Sequence, residues 1–166
     1  MFRIRRILDS SAPGNKLAVN QVIEILKIQF PTLDEADLMK LPEQLNDPMK
    51  YRFQTRLLVA EKKHERIDGF ALILHVPDLN FCYLDFIAAR PGLTDSGLGG
   101  ALFDRVREEA INLKAKAIFF ECLPDDPALS PDPKIRKENE RRLAFYEKYG
   151  IYPLAGTLYE TPLNPE

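Results

Sequence analysis

From Phe81 to Ala89 the chain is almost uninterruptedly apolar, and shortly afterwards it turns glycine-rich at Gly92, Gly97, Gly99 and Gly100. The apolar run is far too short to span a bilayer, which takes about 20 residues. It reads as a strand covered on both faces. The residues after it change period: Leu98, Leu102, Val106, Ala110 and Leu113 recur at helical spacing, with Asp104, Arg107, Glu108 and Asn112 largely off that stripe. A buried strand that feeds an amphipathic helix through glycines requires sheet and helix in packed layers.

That junction has chemical consequences. Glycine lets the backbone approach a ligand closely. The first amides of a helix have no internal acceptor, and the helix dipole puts roughly half a positive charge there. Together they suit a pyrophosphate. No Gly-Lys-Ser/Thr follows, so this is not a nucleotide-triphosphate loop. Leu102 stands where the dinucleotide fingerprint needs its third glycine. Alone, a glycine-rich helix start is more often a tight turn than a ligand site.

The rest of the chain supplies the context. Phe2–Ile7 reads as a strand, and Ser10–Asn15 as a turn cluster. A helix is predicted over Lys16–Gln29, stopped by Pro31. Thr32 with Glu35 reads as a capping box for a second helix, Leu33–Leu41, ended by Pro42. Arg56–Glu61 and Ile67–Val76 form a hairpin around a polar turn, and Pro77–Asn80 leads into the apolar strand. Ala117–Cys122 reads as a short buried strand. A loop rich in proline and aspartate runs from Leu123 to Pro133. Asn139–Tyr149 is a helix ended by Gly150, and Ile151–Thr161 a last strand. The expected fold is mixed α/β: a mostly antiparallel sheet of six to seven strands with about four helices and one right-handed parallel crossover.

Bulk numbers leave this ordinary. With 166 residues, one domain over 1–166 is expected; 45% are hydrophobic and 29% charged. A net charge of -2 gives no reason to expect nucleic acid as a partner, and no apolar run points to a membrane. Cys82 and Cys122 lack neighbouring histidines, so free buried thiols are expected rather than a metal site, in a reducing cytoplasm.

Two stretches resemble the GNAT superfamily of N-acyltransferases. The first is Ile87-Ala88-Ala89-Arg90-Pro91 followed by Thr94, Gly97 and Gly99, aligned with that superfamily's phosphate loop. The second is Asn139, seven residues to Tyr146, then Glu147-Lys148 and Gly150 with the apolar Ile151. Both occur in the right order with a strand between them, and the likeness runs from Phe2 to the strand after Gly150. It implies acetyl-CoA as cosubstrate, no metal, and a cleft where the central strands splay. Backbone groups of Ile87, Ala88 and Ala89 would pair with the pantetheine arm as an added strand. The turn residues Thr94, Asp95 and Ser96 and the amides of Gly97, Leu98, Gly99, Gly100 and Ala101 would hold the pyrophosphate. Asn139 would reach the pantetheine arm and Tyr146 the thioester sulfur.

Aminolysis of a thioester needs a neutral amine and a protonated leaving thiol. Tyr146 is the expected acid, and the Ala89 amide the expected oxyanion donor. For the base, Glu121 at the end of a buried strand comes first and Asp85 second; His64 and His75 are weaker candidates. The acceptor is a small-molecule amine or a protein lysine. Asp125, Asp126 and Asp132 are acids that could meet a cation, although a solvated loop is the commoner reason for them. Thr94 stands where the superfamily usually has Gln or Arg, and Asp95 adds a negative charge. These favour a second reading, an acyl-CoA-binding regulatory domain with little turnover. The short tail after Thr161, and a further resemblance to GNAT domains fused ahead of a deacetylase-like domain, imply a dimer partner or an attached C-terminal domain.

Overall fold

The structure is a computed structural model that describes residues 2–93, 97–154 and 157. Its contacts divide the chain into two compact units, one ending at Phe120 and one beginning at Glu121.

The first unit holds a five-stranded sheet ordered β1-β2-β3-β4-β5: β1 (Arg3–Ile7), β2 (Gln54–Glu61), β3 (Ile67–Val76), β4 (Phe81–Ala89) and β5 (Ile118–Phe119). The first four strands are antiparallel neighbours and β5 joins β4 in parallel. Helices α1 (Pro13–Gln29) and α2 (Glu35–Asn46) precede β2, and α3 (Leu98–Asn112) makes the β4-to-β5 crossover. Among the described residues the strand count is thus one or two below expectation. Residues 151–154 form no strand, and most of the expected last strand lies outside the described residues.

One face of the sheet is sealed by α1 and α2. Ile7, Leu57, Val59, Phe70 and Leu72 pack there against Val22, Ile25, Leu26, Leu38 and Leu41, all buried. The Phe30 and Phe86 rings meet edge-on at 4.9 Å on this side. The other face receives α3 through Leu98, Leu102, Phe103 and Val106, each 1% exposed or less. Gly69 marks how closely α3 sits. A Cβ there would lie 2.9 Å from the Ala88 carbonyl oxygen, 3.1 Å from Leu98 and 3.2 Å from Leu102. α3 also buries Glu109, off the sequence-predicted stripe. Its carboxylate accepts from Arg105 at 2.9 Å and lies 3.6 Å from Arg56 and 3.7 Å from Arg6.

Local physics moved three helix boundaries. Asp9 accepts hydrogen bonds from the Ser11 and Ala12 amides, and Pro13 opens α1, so the helix starts inside the expected turn cluster. The cap of α2 is Asp34, which accepts from the Asp37 amide at 2.8 Å, not Thr32. Pro42 does not end α2 but lies inside it; its ring costs one backbone bond, while Leu41 and Leu45 on either side remain buried. β3 and β4 have the predicted bounds. Of β4, however, only Cys82 and Leu84 are fully buried.

The second unit contains α4 (Pro133–Glu147), six residues longer at its start than expected. Asp132 caps it by accepting from the Lys134 amide at 2.8 Å. Gly150, at φ 73°, takes the left-handed conformation just past the helix.

Candidate active site

In the first unit the site is built on β4. Its ladder with β5 comprises only Cys82–Ile118 and Tyr83–Phe119, and β4 runs on to Ala89. Past Tyr83 this edge of β4 has no ladder partner among the described residues. Past it, backbone direction follows from antiparallel alternation. The Arg90 amide donates to the Asp68 carbonyl at 2.8 Å, so Ala88 also turns its backbone toward β3. Ile87 and Ala89 therefore aim theirs at the edge that β5 does not pair. The Ala89 carbonyl already accepts from the Gln29 side-chain amide at 2.7 Å, which ties the end of α1 to the end of β4.

A bulge precedes this segment. Ile73 pairs with Leu84 and Leu72 with Phe86, leaving Asp85 as the extra residue. Asp85 and Phe86, adjacent in sequence, both line one pocket on the α2 side. Beyond the bulge, Ala89 pairs with Gly69, which faces α3, so Ala89 and Ile87 share the α3 face. The period-two reading of β4 had no means of seeing this extra residue.

At the start of α3, Gly97 is the N-cap at φ 74°, and among the described residues no side chain caps the helix. The first helical bond runs from the Ala101 amide to the Gly97 carbonyl at 3.1 Å. The amides of Leu98, Gly99 and Gly100 thus precede any intrahelical acceptor, while that of Ala101 is already committed within the helix. No acid occupies the first turn, and a Cβ on Gly99 would meet no atom of the described residues within 4 Å. Thr94, Asp95 and Ser96 lie outside the described residues, as does the His64 side chain. His75 is 7% exposed; burial first, and the Arg56 charge second, hold its pKa below the usual imidazole value. A neutral ring enclosed in this way is not placed to serve as a base.

In the second unit Tyr146 is 6% exposed. Burial, reinforced by the nearby Cys122 thiol and opposed by Arg142, raises its phenol far above the ordinary tyrosine pKa. The phenol stays protonated at any physiological pH. Burial likewise raises the Cys122 thiol. Asn139 is fully buried, but its amide is spent on structure: it donates to the Pro124 carbonyl at 2.8 Å and to the Ser130 hydroxyl at 3.3 Å. Ser130 in turn donates to the same carbonyl at 2.7 Å. The proline-rich loop is pinned to α4 in this way, a role the sequence motif alone did not reveal. Asp126 and Asp132 are engaged in turn and helix caps. Glu121 departs most from expectation. β5 ends at Phe119, which is itself 44% exposed, and Glu121 lies exposed outside the strand. The apolar residues of Ala117–Cys122 suggested a buried strand, but β5 has only two ladder pairs to hold it.

Among the described residues, no three His, Cys, Asp or Glu side chains converge to hold a metal, and no helix is long and apolar enough to cross a membrane.

Residues 19–130 match the model of the acetyltransferase (GNAT) family. No curated protein sequence is a significant match. Among solved structures, the aminoglycoside N-acetyltransferase AAC(6')-Iy in complex with CoA superposes with a TM-score of 0.67 at 13% identity, over 98% of this chain and 95% of that one. The aminoglycoside acetyltransferase meta-AAC0020, from an uncultured soil metagenomic sample and in complex with sisomicin, gives 0.65 at 16% identity, over 97% and 96%. Tetrahymena GCN5 gives 0.64 at 13% identity, over 89% and 76%. At such identities these likenesses speak for the fold. Taken with the family match across two-thirds of the sequence, they establish that the chain belongs to the acetyltransferase (GNAT) family.

Proposed function

We propose that this protein is an acetyl-CoA-dependent N-acetyltransferase that acts on a primary amine by direct attack within a ternary complex. The observation that carries the proposal is the short β4–β5 ladder, which leaves Ile87 and Ala89 aimed at the edge of β4 that β5 does not pair, on the strand that leads to the start of α3. An edge that presents backbone donors and acceptors suits an amide-rich arm added as a strand. Three amides at a helix N-terminus, with no described atom within 4 Å of a Cβ at Gly99, suit a pyrophosphate. Bound there, acetyl-CoA supplies an acetyl group activated as a thioester.

The chain's own residues would then do the following work. Ile87 and Ala89 hold the arm through backbone hydrogen bonds, and the Ala89 amide is the oxyanion donor. Leu98, Gly99 and Gly100 bind the diphosphate. Tyr146, kept protonated by burial, donates to the sulfur as it departs. Asp85 is preferred over Glu121 as the base, because it lines a pocket beside the bulge whereas Glu121 is exposed. The binding-only reading draws on that exposed Glu121 and on the commitment of Asn139 to its loop. Calorimetry with acetyl-CoA separates these readings from a fold without cofactor. Wild type and Tyr146→Phe should bind alike, and Gly99→Glu should lose binding. Wild-type protein that binds no acetyl-CoA would refute both cofactor readings. Binding without thiol release across an amine panel would leave the binding-only reading standing.

A further inference from the structure

Gln29 is the last residue of α1, is exposed, and donates its side-chain amide to the Ala89 carbonyl at 2.7 Å. That carbonyl belongs to the edge of β4 that β5 does not pair. A neighbouring strand keeps its own N–H donors about 2.7–3.2 Å from such an oxygen. The Gln29 nitrogen therefore stands as far from the oxygen as the donor of an added strand would.

Other contacts hold α1 in place. Phe30, the next residue, packs edge-on against Phe86 of β4 at 4.9 Å and donates its amide to the Leu26 carbonyl at 2.8 Å. Earlier on the same helix, Gln21 accepts from the Ile67 amide at 2.9 Å and from Arg90 at 3.2 Å. Val22, Ile25 and Leu26 are buried in the core. With the helix fixed by these neighbours, the Gln29 side chain can leave Ala89 by turning about its own bonds, a fast motion for an exposed residue.

From this arrangement we propose that Gln29 is a further residue of the cofactor site: its amide holds the Ala89 carbonyl in the free protein as the arm of acetyl-CoA does in the complex, and it swings away when the arm arrives. The inference rests on the reading above in which Ile87 and Ala89 receive the arm, and it deepens that reading. Two donors compete for one acceptor. Binding exchanges one hydrogen bond at Ala89 for another, so the arm gains less there than it would from an open carbonyl. Gln29 thereby lowers the affinity for CoA and its esters and leaves the diphosphate site at Leu98, Gly99 and Gly100 untouched. A purely structural role predicts the opposite sign, because freeing the end of β4 would weaken the site.

The test is calorimetry on the whole chain with acetyl-CoA and, as a probe that carries the diphosphate without the arm, phosphoadenosine diphosphate. Gln29→Met keeps the length and helix preference of glutamine and removes the donor. It should bind acetyl-CoA roughly two- to tenfold more tightly than wild type, the range of one neutral hydrogen bond, and phosphoadenosine diphosphate as wild type does. Gln29→Ala, too short to reach Ala89, should show the same pattern, and urea unfolding followed by circular dichroism shows that both variants fold. In wild type, the Gln29 side-chain amide resonances are identified by their loss from the spectrum of Gln29→Met. They should move to the position of a solvated glutamine when acetyl-CoA is added, and stay in place with phosphoadenosine diphosphate. Acetyl-CoA affinity unchanged or lower in either variant, tightening shared equally by the two probes, or amide resonances that acetyl-CoA leaves in place overturns the inference and leaves the cofactor reading intact. Wild-type protein that binds no acetyl-CoA overturns both.

Discussion

Gly69 offers a test in which two physical effects predict opposite signs. In the interior of a strand, glycine is worse than alanine by roughly 0.5–1 kcal/mol, because it loses more freedom on folding. On that ground alone Gly69→Ala would stabilise the protein. The structure predicts the reverse. The new Cβ would lie 2.9 Å from the Ala88 carbonyl oxygen, a backbone atom that has no rotamer to escape into, with Leu98 and Leu102 close behind at 3.1 and 3.2 Å. Overpacking of this kind costs about 1–3 kcal/mol. The net expectation is a loss near 1 kcal/mol, or a fall of roughly 2–4 °C in Tm for a chain of this length. Gly69→Val should lose more, despite valine's preference for strands. Urea unfolding followed by circular dichroism reads the sign. Gly99→Ala is the control, since its Cβ meets no described atom within 4 Å, and alanine in a helix should stabilise by up to about 1 kcal/mol. Because Gly69 sets the approach of α3 to β4, acetyl-CoA affinity should fall in Gly69→Val along with stability. A Gly69→Ala protein more stable than wild type would refute the packing argument.

The other predictions concern buried polar groups and the proposed acid. Glu109→Ala should destabilise by about 1–3 kcal/mol, because it strips the carboxylate from between the part-exposed Arg6, Arg56 and Arg105; no measurable loss in urea unfolding would contradict that. Asn139→Ala should cost about 1–3 kcal/mol and make the loop 123–133 the first site of limited proteolysis. Tyr146→Phe should lower kcat by roughly 10²-fold or more with acetyl-CoA affinity unchanged. His75 gives a pH signature. Its folded pKa is depressed, so the unfolded chain binds the proton first as pH falls, and stability drops from about pH 6.5 downward. His75→Gln should flatten the dependence of unfolding free energy on pH between 7 and 5.

Sequence and structure agree wherever one short-range signal decides. The bounds of β3 and β4 were legible because β-branched and apolar runs stop at polar turns, and Gly97 and Gly150 because positive φ at a helix end selects glycine. Agreement fails where two local signals compete. Thr32 with Glu35 satisfied a capping pattern, but Asp34 sits one residue before the helix and accepts the bond. Pro42 is an ordinary stop signal, yet α2 continues through it with its apolar face buried on both sides. Long-range facts left no trace in the pattern. The Asp85 bulge is a relation between two strands, the enclosure of Glu109 comes from arginines on β1, β2 and α3, and the commitment of Asn139 depends on a carbonyl 15 residues earlier. For the same reason the motifs singled out Tyr146 and the glycines as candidates, while the proposed preference for Asp85 over Glu121 draws on the short β5 and the exposure of Glu121.

The extra residue at Asp85 acts as a phase slip in an otherwise periodic strand. Upstream and downstream of it, the same parity of residue number points to opposite sides of the sheet. One segment of chain thereby serves two chemically separate neighbours, with Asp85 and Phe86 answering to whatever fills the α2-side pocket and Ile87 and Ala89 to the α3 side and the edge that β5 does not pair. Substitutions at the first pair would retune what enters the pocket without disturbing the second. Deleting Asp85 would remove the slip without moving its neighbours: Leu84 and Phe86 would become consecutive partners of Ile73 and Leu72, Phe86 through Ala89 would keep their sides, and the pocket would lose its extra carboxylate.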